Sequence, residues 1–574
     1  MQKKRFRLRS FKQETLLLIK NLILHFMKIT FLTLFTFLGL STFAQNIVSE
    51  QVLKHLETID TNRIKAHVAY LSDDKLKGRL PGKEGYQMAV DYVVKQYKEM
   101  GLKPAGENGT YTQNVVLRKT KLVKETAKFT LTLPNGEKRE LTLGNDLSIY
   151  PQPEKKSVDF NAPLVFVGSG FDTPQININD YKGLNVKGKI VVVLRRIPDN
   201  LPTNVKLHLG YPATLQEFAA KNGAIGVLVC NYTNSMVQFK AAANNMVTNG
   251  VSASVTATGK RTSSASVLGG KIIVAGGISV PALQDLMRAE NNMLDSTWQQ
   301  LEKGKYVSKA LKSTISGHYE STFHDVISYN VIAKAEGSDA KLKKEFVIHS
   351  GHLDHLGVGK PINGDSIYNG AHDNASGVAC ALEIARMYAT LPQKPKRSIL
   401  FVLVTAEEMG LLGSGYFNAF PTVKRKQIVA DINTDMPTLL APLESVAPLG
   451  AEHSSLQKVV ETAANIAKLE VEPDPDPSEG RFVRSDQYNF VKAGIPALHI
   501  KYGYRFSNPS LNLAEKVKKW REAHYHKPSD EITNGFVWAA GKTYARVNFL
   551  VSYLVAQTQA RPTWNKGDFF EVKK

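Results

Sequence analysis

Histidine and carboxylate residues stand where several apolar runs end. "SGHLDHLG" at residues 350–357 follows the apolar run "EFVIH" and places His352 three residues beyond its end, and Glu407 and Glu408 follow the apolar run "SILFVLVTA". Asp435 follows "QIVADINT" in the same way. A polar loop would explain any one of these residues alone. However, the carboxyl ends of parallel strands share one sheet edge, where ligands bind in α/β proteins, so we expect the four side chains to converge.

Two further segments supply partners for this group. "NGAHDNASG" contains Asp373 just before a helix-like stretch, so capping of that helix is the alternative role of its carboxylate. "AHYHKPSD", residues 523–530, presents His524, Tyr525 and His526 in an expected loop, where surface histidines are the alternative. Together with the residues at the strand ends, these side chains complete a ligand set.

The set contains two histidines and three carboxylates: His352, Asp373, Glu408, Asp435 and His526. Mixed nitrogen and oxygen ligands suit zinc, whereas calcium and magnesium prefer oxygen alone. One bridging carboxylate would let five ligands hold two ions ~3.5–4 Å apart with a shared water. Because adjacent side chains project in different directions, one of the two neighbouring glutamates can bind metal while the other takes a proton from that water.

The rest of "SGHLDHLG" supports the same interpretation. A metal-bound histidine commonly needs a partner that orients its ring, and Asp354 is the expected partner of His352. His355 receives no role from the sequence.

The elements that must position these residues alternate between strand and helix after about residue 330. "FVIHSGH", "SILFVLVTAEE", "QIVADINTD" and "IPALHIKYG" read as strands separated by helix-like stretches such as "ASGVACALEIARMYATL". This pattern predicts an α/β fold with a mainly parallel mixed sheet covered by helices on both faces. Residues 155–315 read instead as short β-rich runs, and the small polar residues between Ala241 and Gly270 predict a mobile loop.

The motifs "GHLDH", "GAHDNASG", "TAEEMGLLGS", "INTDM" and "YHKPSD", in this order, resemble metallopeptidase family 28, the co-catalytic zinc exopeptidases. The resemblance implies that Asp373 bridges two zinc ions. It assigns His352 and Asp435 to one ion, and Glu408 and His526 to the other. It further implies that Glu407 is the general base and that Tyr525 stabilises the oxyanion.

The resemblance also predicts the domain organisation. A zinc peptidase domain would occupy residues 46–150 and 320–560, followed by a C-terminal tail at 561–574. "APLVFVGSGF" and "VKGKIVVVLRR" resemble the protease-associated domain, which would be inserted at residues 155–315 and shape access to the site.

Residues 1–44 form a predicted leader. "MKITFLTLFTFLGLSTFAQ" has a basic start, an apolar run and small residues before Gln45, as in a signal peptide that starts at Met27 and is cleaved after Ala44. An uncleaved anchor is the alternative. The sequence therefore predicts export to the periplasm or the medium, without stable membrane insertion after cleavage.

Composition limits the other function classes. The net charge of +21 is concentrated partly in the leader, and no basic stretch interleaved with aromatic residues indicates nucleic-acid binding. The two cysteines, Cys230 and Cys380, form neither a disulfide framework nor a sulfur-rich metal site. The oligomeric state is left undetermined.

The leading functional prediction is an exported aminopeptidase that holds two zinc ions per chain and removes N-terminal residues from peptides through a metal-bridging water. A carboxypeptidase of the same fold is an alternative, because Arg481 and Arg484 could bind a terminal carboxylate. A glutaminyl cyclase-like enzyme with one zinc ion is another alternative. A binding protein without catalysis, as in transferrin-receptor-like relatives, is a further one, but such proteins typically lack several ligands.

Overall fold

The computed structural model describes residues 47–508 and 510–572, so the predicted leader lies outside the described residues. The chain divides into a unit that ends at Thr58 and a unit that spans Ile59–Lys574. Within the described ranges, no helix is long and apolar enough to cross a membrane.

The unit that ends at Thr58 contains helix α1, Glu50–Leu56, which begins at Ser49 because the Ser49 hydroxyl accepts the N–H of Val52. The helices of the second unit are α2 Thr61–Leu71, α3 Glu84–Glu99, α4 Thr203–Gly210, α5 Pro212–Lys221, α6 Met236–Thr248, α7 Val280–Ala289, α8 Leu294–Glu302, α9 Ser376–Ala389, α10 Leu412–Ala419, α11 Leu456–Ala467, α12 Gln487–Lys492, α13 Leu513–His524 and α14 Trp538–Gln557.

The strands are β1 Lys103–Pro104, β2 Thr112–Thr132, β3 Lys138–Leu141, β4 Leu147–Ile149, β5 Ser157–Phe166, β6 Asp172–Thr173, β7 Ile178–Asn179, β8 Ile190–Leu194, β9 Gly226–Cys230, β10 Val251–Val255, β11 Arg261–Ser263, β12 Val274–Ile278, β13 Lys309–Ala335, β14 Phe346–His352, β15 Gly357–Ile362, β16 Asp365–Tyr368, β17 Ser398–Val404, β18 Ile428–Asn433, β19 Ser445–Leu449, β20 Glu470–Val471 and β21 Ala497–Tyr502.

Four parallel strands form the centre of the sheet, in the order β17, β14, β18 and β21. Antiparallel strands flank them, with β13 beside β17 and β19 beside β21. Every residue of β14, β17 and β18 is buried, as expected for strands covered on both faces. Helices α9 and α14 contact this sheet and each other. Helices α10 and α12 likewise contact strands of the sheet and each other. The predicted mainly parallel α/β sheet is therefore confirmed.

Two long strands connect this sheet with the segment at residues 157–308. The 27-residue strand β13 pairs with β17 near its end and with β5 near its start, and the 21-residue strand β2 runs antiparallel along it. Beyond them, β5, β8, β9 and β12 form a second run of parallel strands. The division into a peptidase domain and a protease-associated domain stays a prediction.

The prediction of a loop between Ala241 and Gly270 is wrong. Helix α6 begins with a capping box between Ser235 and Gln238 and continues to Thr248. Strand β10 then pairs with residues 116–120 of β2, and β11 pairs with β10. The strands of this segment form through hydrogen bonds between main chains. Such bonds require no periodic pattern of side chains, so the sequence did not reveal them.

Candidate metal centre and active site

The carboxyl edge of the four central strands collects the predicted residues. Strand β14 ends at His352, and Asp435 lies two residues beyond the end of β18. After β17 the chain turns at Ala406, which has a positive φ of 55°, and then presents Glu407 and Glu408. A positive φ is uncommon for a residue with a side chain and is often found at functional sites.

Asp373 occupies the middle of the cluster, and its two carboxylate oxygens face different histidines. Its Oδ1 lies 3.3 Å from Nε2 of His352, and its Oδ2 lies 3.1 Å from Nε2 of His526. Nε2 of His352 is also 3.4 Å from Oδ1 of Asp435, and Nε2 of His526 is 3.2 Å from Oε2 of Glu408. The structure therefore brings all five predicted ligands together, as two groups that share Asp373.

The loop around Asp373 is tightly fitted. Gly370 has a φ of 60°, and a Cβ at this position would lie 2.1 Å from the carbonyl oxygen of Asp373 and 2.5 Å from the ring of His355. Only glycine fits such an approach. The peptide bond between Asp373 and Asn374 is cis.

One carboxylate oxygen of Asp435 is fixed by a hydrogen bond, and the other faces the cluster. Its Oδ2 accepts a 2.6 Å hydrogen bond from the hydroxyl of Ser485. Its main-chain carbonyl accepts hydrogen bonds from the Lys501 ammonium at 2.9 Å and the His499 ring at 2.7 Å. Its Oδ1 is buried and makes no hydrogen bond among the described residues, although Nε2 of His352 lies 3.4 Å away. An acceptor of this kind is costly unless a cation binds it.

Asp354 contacts both the ring of His352, its predicted partner, and the turn after β17. The main-chain carbonyl of Asp354, not its carboxylate, is the nearest partner of the His352 ring, at 3.2 Å from Nδ1; the carboxylate is 3.9 Å away. The carboxylate instead accepts the main-chain N–H of Glu407 at 3.1 Å and that of Glu408 at 3.4 Å. Asp354 thus fixes the turn that carries both glutamates as well as the ring of His352.

Glu407 lies beside the two groups without an ion pair to a basic side chain in the described part of the chain. Burial raises the pKa of its carboxyl group well above the ordinary value; the charge of His352 opposes this, and the carboxylates of Glu408 and Asp486 reinforce it. A carboxylate with a raised pKa accepts a proton more readily.

The charges of the histidines and carboxylates in the cluster compensate one another. Burial disfavours protonation of His352, but Glu407, Asp373 and Asp435 outweigh it and raise its pKa well above the ordinary value. Burial likewise opposes the charged form of His526, whose pKa Asp373 and Glu408 raise to about 10. In the protein alone, imidazolium charges therefore compensate the carboxylates, a task that divalent cations would also perform.

His355, for which no role was predicted, lies in the second group. Its Nδ1 is 2.8 Å from Oε1 of Glu408, and ligand atoms of His355, Asp373 and Glu408 all lie within 4.8 Å of one another. The ring is completely buried. The spacing "HLDH" carried the signal, since it placed a second histidine three residues after His352.

Three further residues hold the loops of the site and were not predicted. The Arg79 guanidinium is buried and donates to the main-chain carbonyls of Leu353 at 2.9 Å and Gly370 at 3.1 Å. The carboxylate of Asp530 accepts the main-chain N–H of Asp373 at 3.0 Å. The Asn374 amide donates to the main-chain oxygen of Thr434 at 3.1 Å and accepts the N–H of Met436 at 3.0 Å. Asn374 and Asp530 stand inside "GAHDNASG" and "YHKPSD", whereas no sequence pattern marks Arg79.

Tyr525 lies beside the second group. Its ring stacks on that of His526 with centroids 3.9 Å apart, and the Arg521 guanidinium lies 4.2 Å from its ring centre. Arg521 also lines a cavity of about 430 Å³ between α13 and β21, together with Tyr502 and Lys518. The lining is polar and charged, so this cavity provides a polar surface next to the cluster.

The two arginines that could bind a terminal carboxylate of a substrate differ in their contacts. The Arg481 guanidinium forms ion pairs with Asp474 and, at 3.4 Å, with Asp476, so its charge is already compensated. Arg484 is exposed and donates to the main-chain carbonyl of Glu479 at 3.2 Å.

The donor set fits zinc. Each group combines imidazole nitrogen with carboxylate oxygen, the mixture that zinc accepts, and Oδ1 of Asp435, which makes no hydrogen bond among the described residues, marks a coordinating position. The ligands of the first group, His352, Asp373 and Asp435, also lie within 4.8 Å of one another.

Comparison with known proteins agrees with this geometry. Residues 330–552, which carry all the residues of the cluster, match the model of peptidase family M28. This part of the chain belongs to peptidase family M28. Among curated relatives, a probable zinc metalloprotease of Pyrenophora tritici-repentis is 27% identical over 307 residues, which cover 46% of this chain and 60% of the relative. Carboxypeptidase Q of Xenopus laevis is 25% identical over 260 residues, which cover 44% of this chain and 48% of the relative.

The chain thus matches only about half of the length of these curated relatives. Among solved structures, the aminopeptidase from Aneurinibacillus sp. strain AM-1 aligns with 89% of this chain and 96% of its own, at 20% identity and a TM-score of 0.43.

Proposed function

We propose that this protein is a zinc-dependent exopeptidase, and more closely an aminopeptidase that holds two zinc ions. The observation that carries the proposal is the position of Asp373, whose two carboxylate oxygens face His352 and His526 separately. Asp435 would complete one ligand group and Glu408 the other. A binding protein without catalysis would have no need of a complete ligand set with a glutamate beside it.

Bound zinc would acidify the attacking water and polarise the scissile carbonyl. Glu407 would take the proton from that water at its carboxylate and deliver it to the leaving amine. The hydrogen bond from the main-chain N–H of Glu407 to the Asp354 carboxylate fixes the position of Glu407. Tyr525 would donate a hydrogen bond from its hydroxyl to the oxyanion, since its ring lies beside His526 and the raised pKa of the hydroxyl keeps it protonated.

The charge pattern favours an aminopeptidase over a carboxypeptidase. A carboxypeptidase needs a fixed cation for the terminal carboxylate of its substrate, and the charge of Arg481 is already compensated by Asp474 and Asp476. The likeness to Carboxypeptidase Q keeps the carboxypeptidase as the second candidate.

A peptide assay separates the two candidates. The protein would be given three forms of one hexapeptide: with free ends, with an acetylated N-terminus and with an amidated C-terminus. An aminopeptidase cleaves the free and amidated forms and leaves the acetylated form intact. Cleavage of the acetylated form with refusal of the amidated one would support the carboxypeptidase, and no chelator-sensitive cleavage of any form would contradict the exopeptidase.

Export is the second part of the proposal. It rests on the signal-peptide pattern that begins at Met27, and N-terminal sequencing of the mature protein would test it. A mature chain that begins at Gln45 supports export, and one that still contains Lys28 contradicts it.

A further inference from the structure

A second carboxyl edge of parallel strands lies in the segment at residues 157–308. Strands β8, β9 and β12 are parallel neighbours in this order. In open α/β sheets this edge is where ligands bind, because the loops and helices that follow the strands leave a crevice there.

A cavity of about 240 Å³ occupies this edge. Its walls are largely apolar, with Leu215 from α5, Val229 from β9, Phe239 from α6 and Ile278 from β12 among its lining residues. None of the lining residues belongs to the metal centre. An enclosed apolar surface of this kind favours the hydrocarbon part of a small ligand.

Arg195 follows β8 directly and is the one charged side chain among the described residues that line the cavity. Within the described chain it forms no ion pair with a carboxylate, and its guanidinium donates to the main-chain carbonyl of Gly210 at 2.9 Å. Tyr150 lines the cavity as well. Arg195 is partly buried and has no counter-charge among the described residues, and a bound anion would compensate its guanidinium.

Three helices begin at the same cavity. Pro212, Met236 and Val280 are the first residues of α5, α6 and α7, and all three line it. The amino end of each helix carries a partial positive charge, so the three ends add to the field of Arg195. No acidic side chain is among the described lining residues to oppose this field.

We propose that this cavity binds a small carboxylate with an apolar body, with the carboxylate on Arg195 and the hydrocarbon part against Leu215, Val229 and Phe239. The inference is independent of the proposed function, since it uses a different sheet edge and different residues. The same chemistry occurs in a free apolar carboxylic acid and in the C-terminal residue of a peptide.

Calorimetric titration of the full-length protein with 4-methylpentanoate and with 4-methylpentanamide tests the proposal. The acid should bind and the amide should bind at least about tenfold more weakly, because hydrogen bonds to charged groups exceed neutral ones. Arg195→Gln should weaken binding of the acid by about ten- to a hundredfold. Arg196→Gln, which removes the neighbouring arginine that pairs with Asp199 outside the cavity, should leave binding unchanged.

Val229→Phe provides a second variant, which fills the cavity without removing its charge and should also abolish binding. Both cavity variants should keep the zinc content and the thermal stability of the parent. Loss of acid binding in variants that keep their zinc would place the acid in the cavity and not at the metal centre. An acetylated tripeptide ending in leucine and its C-terminal amide distinguish the sources: binding of the tripeptide acid indicates a peptide terminus, and binding of 4-methylpentanoate alone indicates a free acid. No binding of either acid, or equal binding by Arg195→Gln, would overturn the proposal.

Discussion

The main-chain N–H of Glu407 donates a 3.1 Å hydrogen bond to Oδ1 of Asp354. The other carboxylate oxygen of Asp354 accepts the N–H of Glu408 at 3.4 Å. One buried carboxylate thus positions the proposed general base and the neighbouring ligand together. The peptide N–H groups, rather than the ring of His352, are its principal partners.

Asp354→Asn should therefore affect both neighbours. An asparagine can accept only one of the two N–H groups, so the turn that carries Glu407 and Glu408 should shift. We expect zinc affinity to fall by about 10- to 100-fold, the usual effect of losing a residue that supports metal ligands. Chelator competition measures the change, with Asp365→Asn as the control, since Asp365 makes a similar bond to the N–H of Ile367 away from the site. Unchanged zinc affinity and turnover would refute this role.

Glu407→Gln should separate metal binding from catalysis. Glutamine keeps the size of the side chain but cannot accept the proton of the attacking water, so we expect kcat to fall by about 10²–10⁴-fold while zinc content stays at the parent value. Steady-state kinetics and elemental analysis of the same preparation provide both numbers. Glu461→Gln, on the exposed side of α11, is the matched control. Near-normal turnover of the Glu407 variant would show that another group takes the proton.

His355→Ala tests a residue whose role the structure alone suggests. Because Nδ1 of His355 lies 2.8 Å from Glu408, loss of the ring should weaken the second ligand group and leave the first nearly intact. We expect affinity for one of two zinc equivalents to fall by about 10- to 100-fold. Stepwise zinc titration resolves the two equivalents, and His318→Ala, a partly exposed histidine on β13, is the control. A parallel loss of both equivalents, or of neither, would contradict a local effect on Glu408.

His349 should make stability depend on pH. It is completely buried in β14, stacks on Phe401, and has no hydrogen-bond partner for either ring nitrogen among the described residues. Burial lowers its pKa from 6.5 to about 3. The unfolded chain therefore binds this proton more tightly, and the stability contribution present above pH 6.5 is lost as the pH falls towards 3. At pH 5 the loss from this group is about 2 kcal/mol.

Urea unfolding between pH 7 and pH 5 measures this loss. His349→Leu should remove about 2 kcal/mol of the pH dependence, whereas His324→Asn, at an exposed position of β13, should leave it unchanged. An identical pH dependence in parent and His349→Leu protein would show that the ring does not titrate as described.

The residues at the strand ends could be predicted because apolar strands that alternate with helices imply a parallel sheet, and such a sheet has one carboxyl edge. His352, Glu408 and Asp435 needed no other information. Asp373 and His526 lie in loops, and their position relied on motif resemblance and on the need for a complete ligand set.

The supporting contacts could not be predicted in this way. Arg79 bonds to the main chain of Leu353, 274 residues away, and a bond between a side chain and a distant main-chain carbonyl leaves no periodic pattern in the sequence. The same reason explains why the hydrogen bonds from the main-chain N–H groups of Glu407 and Glu408 to the Asp354 carboxylate were not predicted. The order of residues 241–270 was missed because it depends on backbone pairing of β10 with β2.

Elemental analysis of zinc in the native protein and in an Asp373→Ala variant tests whether Asp373 holds two ions together. The two oxygens of Asp373 face separate histidines, so we expect two zinc ions per chain in the native protein and fewer than one in the variant. One ion or none in the native protein, or two retained after Asp373→Ala, would contradict it.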